Sequence, residues 1–306
     1  YLGGPSASTR GQHRGERAKS RSQRRRRWWQ RRRPGSWQQT RGGGVARAAR
    51  LEQRRLRLNM SSVRVWGAPL SQPTRAVLWA CGWLGLKADF APVNAIKGDH
   101  RSADFLKLNP NGTFPVIADG DFVLWESHAV LRYLATTHGR KGDAAFLYPT
   151  GDAQACARID AWLDWKHNVL RPGAAGIVRR RVMRNVMKDI SNHSMRFDLE
   201  EISEAREVRL LEEALRILEQ RLSECPFVAG GDKPSLADIA IASEVDQLRL
   251  LPPGAAPPDG AELSKSYPSI SRWLEGMRAT PGYSESHKGF HDALAGVAKL
   301  RAASKL

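Results

Sequence analysis

The chain has 306 residues, of which 41% are hydrophobic and 26% charged, and its formal net charge is +18. Residues 1–59 hold 18 of the 49 lysines and arginines but only two of the 31 acidic residues, which leaves +2 for residues 60–306. No stretch approaches the ~18 uninterrupted apolar residues of a membrane span, so no membrane partner is expected. Three distant cysteines exclude a disulfide framework and give no spacing typical of a metal site.

The basic extension, residues 1–59, is expected to be disordered. Its central run, residues 24–33, contains seven arginines and two tryptophans. Such a composition cannot bury enough apolar surface to offset the entropy of an ordered chain. Three interpretations stay open: an arm that binds nucleic acid through phosphates and base stacking, an organelle transit peptide, or upstream sequence that is not translated in vivo, in which case Met60 is the start.

Residues 60–139 alternate between strand and helix patterns in the order β-α-β-α-β-β-α. This order is that of a thioredoxin-like domain, although order alone allows other α/β folds. Strands are predicted at 63–67, 88–93, 114–117 and 122–125, and helices at 73–84, around 103–108 and from 126.

Beyond a Gly- and Pro-containing linker at 140–151, only helical patterns follow. The sequence therefore predicts an α/β thioredoxin-like N-terminal domain and an all-α C-terminal domain at 152–306. The predicted helices are a long one that should end near Arg171-Pro172-Gly173, one at 199–222, one opened by Ser235 and Asp238 as a variant capping box, and two shorter ones at about 269–278 and 286–303.

Ser71 lies where the first predicted strand passes into the helix at 73–84. The free N–H groups and the positive dipole end of a helix favour a nearby anion, and a hydroxyl there can donate to a thiolate. By residue type alone, a serine at this position is more often a simple helix cap.

Two further pairs have the chemistry of ligand contacts. In Phe114-Pro115, a cis peptide before a strand would expose the Phe114 backbone to an extended ligand, whereas the alternative is an ordinary edge-strand proline. At a helix start, Glu126 and Ser127 can receive an α-ammonium and an α-carboxylate together. A capped helix without a ligand explains this second pair equally well.

Taken together, these stretches resemble the theta class of glutathione transferases, and the plant and algal branch most. The likeness runs from about Val63 to at least Trp273. It is carried by Leu70-Ser71-Gln72-Pro73-x-Arg75-Ala76-Val77, Ile96-Lys97-Gly98-x-His100, Asn109-Pro110-Asn111-Gly112-x-Phe114-Pro115, Glu126-Ser127-His128-Ala129, Leu163-Asp164-Trp165-x-His167-x-x-Leu170-Arg171-Pro172-Gly173-Ala174 and Ser235-x-x-Asp238-Ile239.

The resemblance implies an enzyme that uses glutathione as co-substrate, needs no other cofactor or metal, and forms a homodimer. It implies that Ser71 donates a hydrogen bond to the glutathione thiolate and that Arg171 stabilises this thiolate or the product anion. Arg171 also fits an ordinary role at the end of a helix.

The glutathione-binding residues that the resemblance implies are Gln72, His100, Thr113, Phe114, Pro115, Glu126 and Ser127. Phe114-Pro115 would align the cysteinyl backbone, Glu126-Ser127 would hold the γ-glutamyl group, and His100 would reach the glycyl carboxylate. Thr113 replaces a lysine that many theta-like chains have, so one charged contact to glutathione is expected to be weaker or lost.

The expected reactions are conjugation of glutathione to small electrophiles and reduction of organic hydroperoxides. The electrophile pocket should lie between the domains, lined by Leu70, the helix that carries Trp162 and Trp165, and the C-terminal helix. Two rivals stay open: a carrier of apolar ligands that has the same fold but no turnover, and a protein tethered to nucleic acid by residues 1–59.

The final tripeptide, Ser304-Lys305-Leu306, has the form of a receptor-read address for peroxisome import. It predicts a peroxisomal import receptor as a partner and a peroxisomal location, with the cytoplasm or nucleus as alternatives.

Overall fold

The computed structural model describes residues 62–139, 144–183, 203–252 and 263–303. These described residues belong to one compact unit. The predictions for the basic extension, for Met60 and for Ser304-Lys305-Leu306 fall outside the described residues and stay predictions, as do the proposed domain boundaries.

The first part of this unit is a four-stranded sheet in the order β2-β1-β3-β4. Strand β1 pairs in parallel with β2 and antiparallel with β3, which pairs antiparallel with β4. The thioredoxin-like prediction is therefore confirmed. The elements are β1 (Ser62–Gly67), α1 (Gln72–Trp83), β2 (Lys87–Pro92), α2 (Ala103–Leu108), β3 (Val116–Asp119), β4 (Phe122–Trp125) and α3 (Ser127–His138), with a 3-10 turn at Asp99–Arg101.

Alternation along the strands gives the sheet two buried faces. Val63, Val65 and Ile117 join the main core, to which helices α1 and α3 also contribute. The neighbouring positions Trp66 and Val116 belong to a smaller cluster. The sheet is thus held between α1 and α3 on one face and the short helix α2 on the other.

The second part is all-α, as predicted. Its helices are α4 (Ala153–Trp165), α5 (Arg171–Val178), α6 (Glu204–Glu224), α7 (Leu236–Asp246), α8 (Leu263–Ser266), α9 (Pro268–Arg278), α10 (Tyr283–Ser286) and α11 (Lys288–Ala303). Two π-helical segments, Lys166–Leu170 and Arg179–Met183, flank α5, and 3-10 turns lie at Ala145–Leu147 and Gln247–Leu250. Within the described ranges, no helix has the length and apolar content needed to cross a membrane.

The expected helix end near Arg171 was wrong, because the helical path continues through the first π segment into α5. The Arg171 N–H donates to the Lys166 carbonyl across the wider π turn. Pro172 follows in the first turn of α5 and does not end the helical path. Gly173 does not end the helix: a Cβ there would lie 2.5 Å from the Leu211 backbone nitrogen, so this glycine permits close packing on α6.

Helix α7 begins at the predicted capping box. The Ser235 backbone N–H and hydroxyl donate to Asp238 Oδ2 at 2.8 and 2.7 Å, and Trp273 Nε1 donates to Asp238 Oδ1 at 3.1 Å. Every residue of α7 is buried, and the helix packs against α1. Its acidic side chains near the C-terminal end, Glu244 and Asp246, therefore need partners inside the protein.

Candidate active site

The sheet brings four of the predicted stretches to one end. Parallel pairing places Gly67 beside Pro92 at the ends of β1 and β2. In β3, the first residue, Val116, pairs with Trp66 of β1 and with Trp125 of β4. It follows that four segments meet at this end: 68–71, 93–101, Phe114-Pro115 and Glu126-Ser127.

Ser71 is the N-cap of α1, as the helix-cap interpretation predicted. The Thr74 backbone N–H donates to Ser71 Oγ at 3.3 Å, and the Ser71 N–H donates to the Ala68 carbonyl at 3.0 Å. The cap uses the hydroxyl oxygen only as an acceptor. Among the described residues, none accepts the hydroxyl proton, so capping leaves that proton available for a ligand.

Arg75 fixes the loop before Ser71, a role that sequence reasoning missed. Its buried guanidinium donates to the Leu70 carbonyl at 2.9 Å, to the Ser243 carbonyl at 3.0 Å and to Gln247 Oε1 at 2.7 Å. Burial lowers the pKa of Arg75 to about 10, so the side chain stays charged at neutral pH. An arginine on the apolar face of α1 was the available signal, since such a residue must find several acceptors.

His100 is buried against Phe114, with ring centroids 6.1 Å apart and nearly perpendicular. The Phe114-Pro115 peptide is cis, as expected. Neither ring nitrogen of His100 has a hydrogen-bond partner within the described part of the chain. Burial, with the charge of Arg101, lowers the pKa of His100. The neutral ring therefore holds one N–H donor and one acceptor without partners at the predicted ligand end.

Thr113 is exposed, and Asn109 holds it in place. Sequence reasoning did not single out Asn109 as a site residue. Asn109 Nδ2 donates to the Thr113 carbonyl at 2.7 Å and to its hydroxyl at 3.0 Å. The Asn111 N–H donates to Asn109 Oδ1 at 3.0 Å. These bonds shape the turn that leads into Phe114, while Thr113 offers a ligand only a neutral hydroxyl.

The start of α3 combines a carboxylate, a hydroxyl and free helix N–H groups. Glu126 has a positive φ of 69°, which is uncommon outside glycine and clusters at ligand sites. Its side chain is exposed, while Ser127 and His128 are partly buried. Burial and the charge of Lys166 lower the pKa of His128 to about 3, so this ring adds no positive charge at neutral pH.

Gln72 and Arg171 are brought together by Glu244 of α7. Gln72 Nε2 donates to Glu244 Oε1 at 3.3 Å, Arg171 Nη1 donates to Glu244 Oε2 at 2.9 Å, and Lys166 Nζ lies 3.1 Å from Glu244 Oε2. Sequence reasoning missed Glu244 and Lys166. An acidic residue inside the apolar stretch of α7 was the signal for the first, but nothing local marked its partners.

The C-terminal helix reaches the loop before Ser71, and the electrophile pocket expected beside this helix stays a prediction. A Cβ on Gly289 of α11 would lie 2.7 Å from Pro69 Cβ. On α4, Trp162 and Trp165 form an edge-to-face pair with centroids 4.9 Å apart. Within the described ranges, no group of three or more His, Cys, Asp or Glu could hold a metal ion.

Comparison with known proteins shows the family of this chain. Residues 65–142 match the family model for the glutathione S-transferase N-terminal domain, and residues 183–281 match that for the C-terminal domain. Glutathione S-transferase T1 of Arabidopsis thaliana is 30% identical over 79% of this chain and 94% of that protein. The chain belongs to the glutathione S-transferase family.

Other relatives place the chain within this family. Glutathione S-transferase theta-1 of Bos taurus is 31% identical over 72% of this chain and 85% of its own, which confirms the theta-class resemblance. The crystal structure of glutathione transferase F7 from Populus trichocarpa has a TM-score of 0.61 at 25% identity, over 74% of this chain and 98% of that one. The two-domain fold inferred from the sequence is that of this family.

Proposed function

We propose that this chain is a glutathione transferase that activates the glutathione thiol through Ser71. It would conjugate the thiol to small electrophiles and reduce organic hydroperoxides. The observation that carries the proposal is the Ser71 hydroxyl, which accepts from the Thr74 N–H and whose proton has no acceptor among the described residues.

The chemical requirement is to favour the thiolate over the thiol. An unperturbed thiol titrates near 8.5, and the thiolate is the nucleophile. Each unit by which the bound pKa falls needs about 1.4 kcal/mol of preference for the thiolate. One charge-assisted hydrogen bond from Ser71, with the N-terminal dipole of α1, is of this size.

The surroundings supply contacts for the two ends of glutathione. The ring nitrogens of His100 are buried and have no partner among the described residues. When the ring turns toward the ligand, its N–H can donate to the glycyl carboxylate. Glu126 can accept from the α-ammonium group, while Ser127 and the first N–H groups of α3 can donate to the α-carboxylate. Between them, the Phe114 backbone can pair with the cysteinyl unit.

Hydroperoxide reduction needs no additional protein group. The thiolate attacks the distal peroxide oxygen, the O–O bond breaks, and the alkoxide takes a proton to leave as an alcohol. The resulting glutathione sulfenic acid reacts with a second glutathione, which releases water and forms the disulfide.

The test is glutathione-dependent turnover of cumene hydroperoxide and of a small alkyl halide by the full chain. Ser71→Ala is compared with Ser203→Ala, since Ser203 caps α6 with the same geometry, accepting from the Arg206 N–H at 3.3 Å. Both variants should lose about 1 kcal/mol of stability with their cap. Only Ser71→Ala should lose turnover, by roughly a hundredfold.

Equal turnover in Ser71→Ala and Ser203→Ala would show that Ser71 only caps the helix and has no role in catalysis. If the wild-type chain binds glutathione and apolar ligands but turns over neither substrate, the carrier interpretation replaces the enzyme.

We also propose that the chain pairs with a second copy of itself. In support, β4 is an edge strand of the sheet, and its Phe122 and Val123 side chains are 47% and 38% exposed, which is typical of a protein contact surface. Sedimentation of the wild type should give a dimer, and Phe122→Glu should shift it toward monomer. A monomeric wild type would contradict the pairing.

A further inference from the structure

Glu244 is a buried carboxylate with an unusual set of donors. Its side chain is fully buried, and it accepts from Gln72, Lys166 and Arg171. These donors come from the first turn of α1, the π segment and the start of α5. One carboxylate therefore joins the helix that Ser71 caps to the helical domain.

The charges in this cluster are unequal. Burial alone would raise the pKa of the Glu244 carboxyl, but Arg171 and Lys166 hold it below its usual value, so Glu244 is ionised. This one anion contacts two cations directly, and the charges of Arg75 and Arg179 also act on it. Lys166 is enclosed, whereas the Arg171 side chain is 25% exposed, so the excess positive charge meets solvent at the Arg171 edge.

The π segment explains how Lys166 enters the cluster. A π turn adds a residue to the helix and changes the direction of the side chains that follow, and such turns are frequent at functional sites. Lys166 begins this segment and is buried, and Arg171 follows directly after it. Both side chains thereby reach the same carboxylate oxygen.

We propose that Glu244 is a positioning residue that fixes the Arg171 guanidinium relative to the Ser71 end of α1. The proposal rests on the proposed function and on the role that the family resemblance implies for Arg171, the stabilisation of the glutathione thiolate. Glu244 itself touches neither glutathione nor the electrophile.

A pH titration of bound glutathione separates positioning from simple charge. If Glu244 contributed only its negative charge, Glu244→Gln would remove an anion and lower the thiol pKa. If it positions Arg171, the guanidinium is released and the thiol pKa rises, by roughly one unit. The measurement is the ultraviolet absorbance of the glutathione thiolate on the full chain as the pH changes.

Turnover gives the second readout. Glu244→Gln should lower kcat about tenfold, because a catalytic group is displaced, with little change in the KM for glutathione. Glu207→Gln is the matched control: Glu207 is also buried and accepts from Arg180 at 2.7 Å, and Arg180 is not a predicted site residue. Glu207→Gln should lose stability and keep both kcat and the thiol pKa.

A double-mutant cycle tests the route of action. In an Arg171→Ala background, Glu244→Gln should change kcat by no more than about twofold, because the group that it positions is gone. Independent, multiplicative effects would overturn the proposal. If Glu244→Gln does not fold, Glu244→Asp keeps a charge for Lys166 but shortens the reach, and the same rise in thiol pKa is expected.

The failures are distinguishable. A wild-type chain that leaves the thiol pKa of bound glutathione at its free value contradicts the proposed function and this proposal together. A second outcome contradicts the role of Glu244 alone. In it, the wild-type chain lowers the thiol pKa of bound glutathione, and Glu244→Gln, or Glu244→Asp if Glu244→Gln does not fold, lowers that pKa at least as much.

Discussion

Two buried carboxylates lie two residues apart on α7 and serve different regions of the molecule. Glu244 accepts from Gln72, Lys166 and Arg171, which belong to α1 and the α4–α5 path. The second carboxylate, Asp246, has its partners toward the C-terminal end of the chain. They are Arg278, whose Nη2 lies 2.5 Å from Asp246 Oδ1, the Tyr283 hydroxyl at 2.7 Å and Arg249 at 3.4 Å.

The two networks differ in how well their basic side chains can be solvated once the carboxylate is removed. Asp246 pairs with arginines that are 33% and 35% exposed, and these can turn toward water. Lys166, beside Glu244, is only 3% exposed, so its ammonium group cannot turn toward water in the same way. Equal burial of two carboxylates therefore does not mean equal cost, because the cost depends on the solvation open to the remaining partner.

The largest effect is expected from Glu244→Ala. Because it leaves the Lys166 ammonium buried without an anion, the free energy of unfolding should fall by about 3–5 kcal/mol. Urea unfolding at pH 7 measures the change. Adding Lys166→Met should restore a large part of it, and a loss below about 1 kcal/mol would show that Lys166 finds another partner.

A smaller loss is expected from Asp246→Asn. The change removes the charge but keeps the size of the side chain, and the arginines can be solvated, so about 2 kcal/mol should be lost. Limited proteolysis should cleave near α10 and α11 first, because Tyr283 loses its acceptor. A loss that equals or exceeds that of Glu244→Ala would contradict the contrast between the networks.

The Asp246 region should also respond to pH through His287. Burial and the nearby charge of Arg75 lower the pKa of this histidine from 6.5 to about 3. Between those values the unfolded chain binds a proton that the folded chain does not. The contribution of His287 to stability is therefore complete above pH 6.5 and falls by about 1.4 kcal/mol for each pH unit between 6.5 and about 3.

Two other titratable groups also contribute to the dependence of stability on pH. His128 has a similarly lowered pKa of about 3 and contributes over the same range, so His287→Phe should flatten the slope of stability against pH without abolishing it. Asp246, whose pKa is also lowered overall, contributes only in more acidic solution, below its usual value. An unchanged slope in His287→Phe would show that this histidine is protonated in the fold.

The smallest effect is expected from Arg249→Ala. Its contact with Asp246 is long, and Arg278 keeps the carboxylate paired. The free energy of unfolding should change by less than about 1 kcal/mol. A thermal melt at low and high salt checks this, since the remaining contribution should shrink as salt screens the partly exposed pair.

The sequence by itself determined the element order. Alternating Val63 and Val65, the Asp119-Gly120 turn and the Ser235–Asp238 capping box are local signals, and each is present in the structure. The family also followed from sequence, because its motifs combine residue types at fixed spacing. The family's fold in turn brings the predicted site segments together at one end of the sheet.

Local signals misled where a residue serves a distant contact. Pro172-Gly173 has the composition of a helix end, yet the helix continues, because Gly173 lies against the backbone of α6, 38 positions along the chain at Leu211. Sequence spacing does not show which backbone will approach a glycine. A glycine that ends a helix and a glycine that permits close packing therefore look the same in the sequence.

Only the tertiary structure decided which polar groups share a partner. Gln72 and Arg171 were predicted separately as glutathione and thiolate contacts, whereas the fold joins both to Glu244. Arg75 and Lys166 are surface-type residues by composition, but the packing of α7 against α1 and the π turn bury them. Propensity and motif depend on near neighbours in the chain, while the energy of a buried charge depends on neighbours in space.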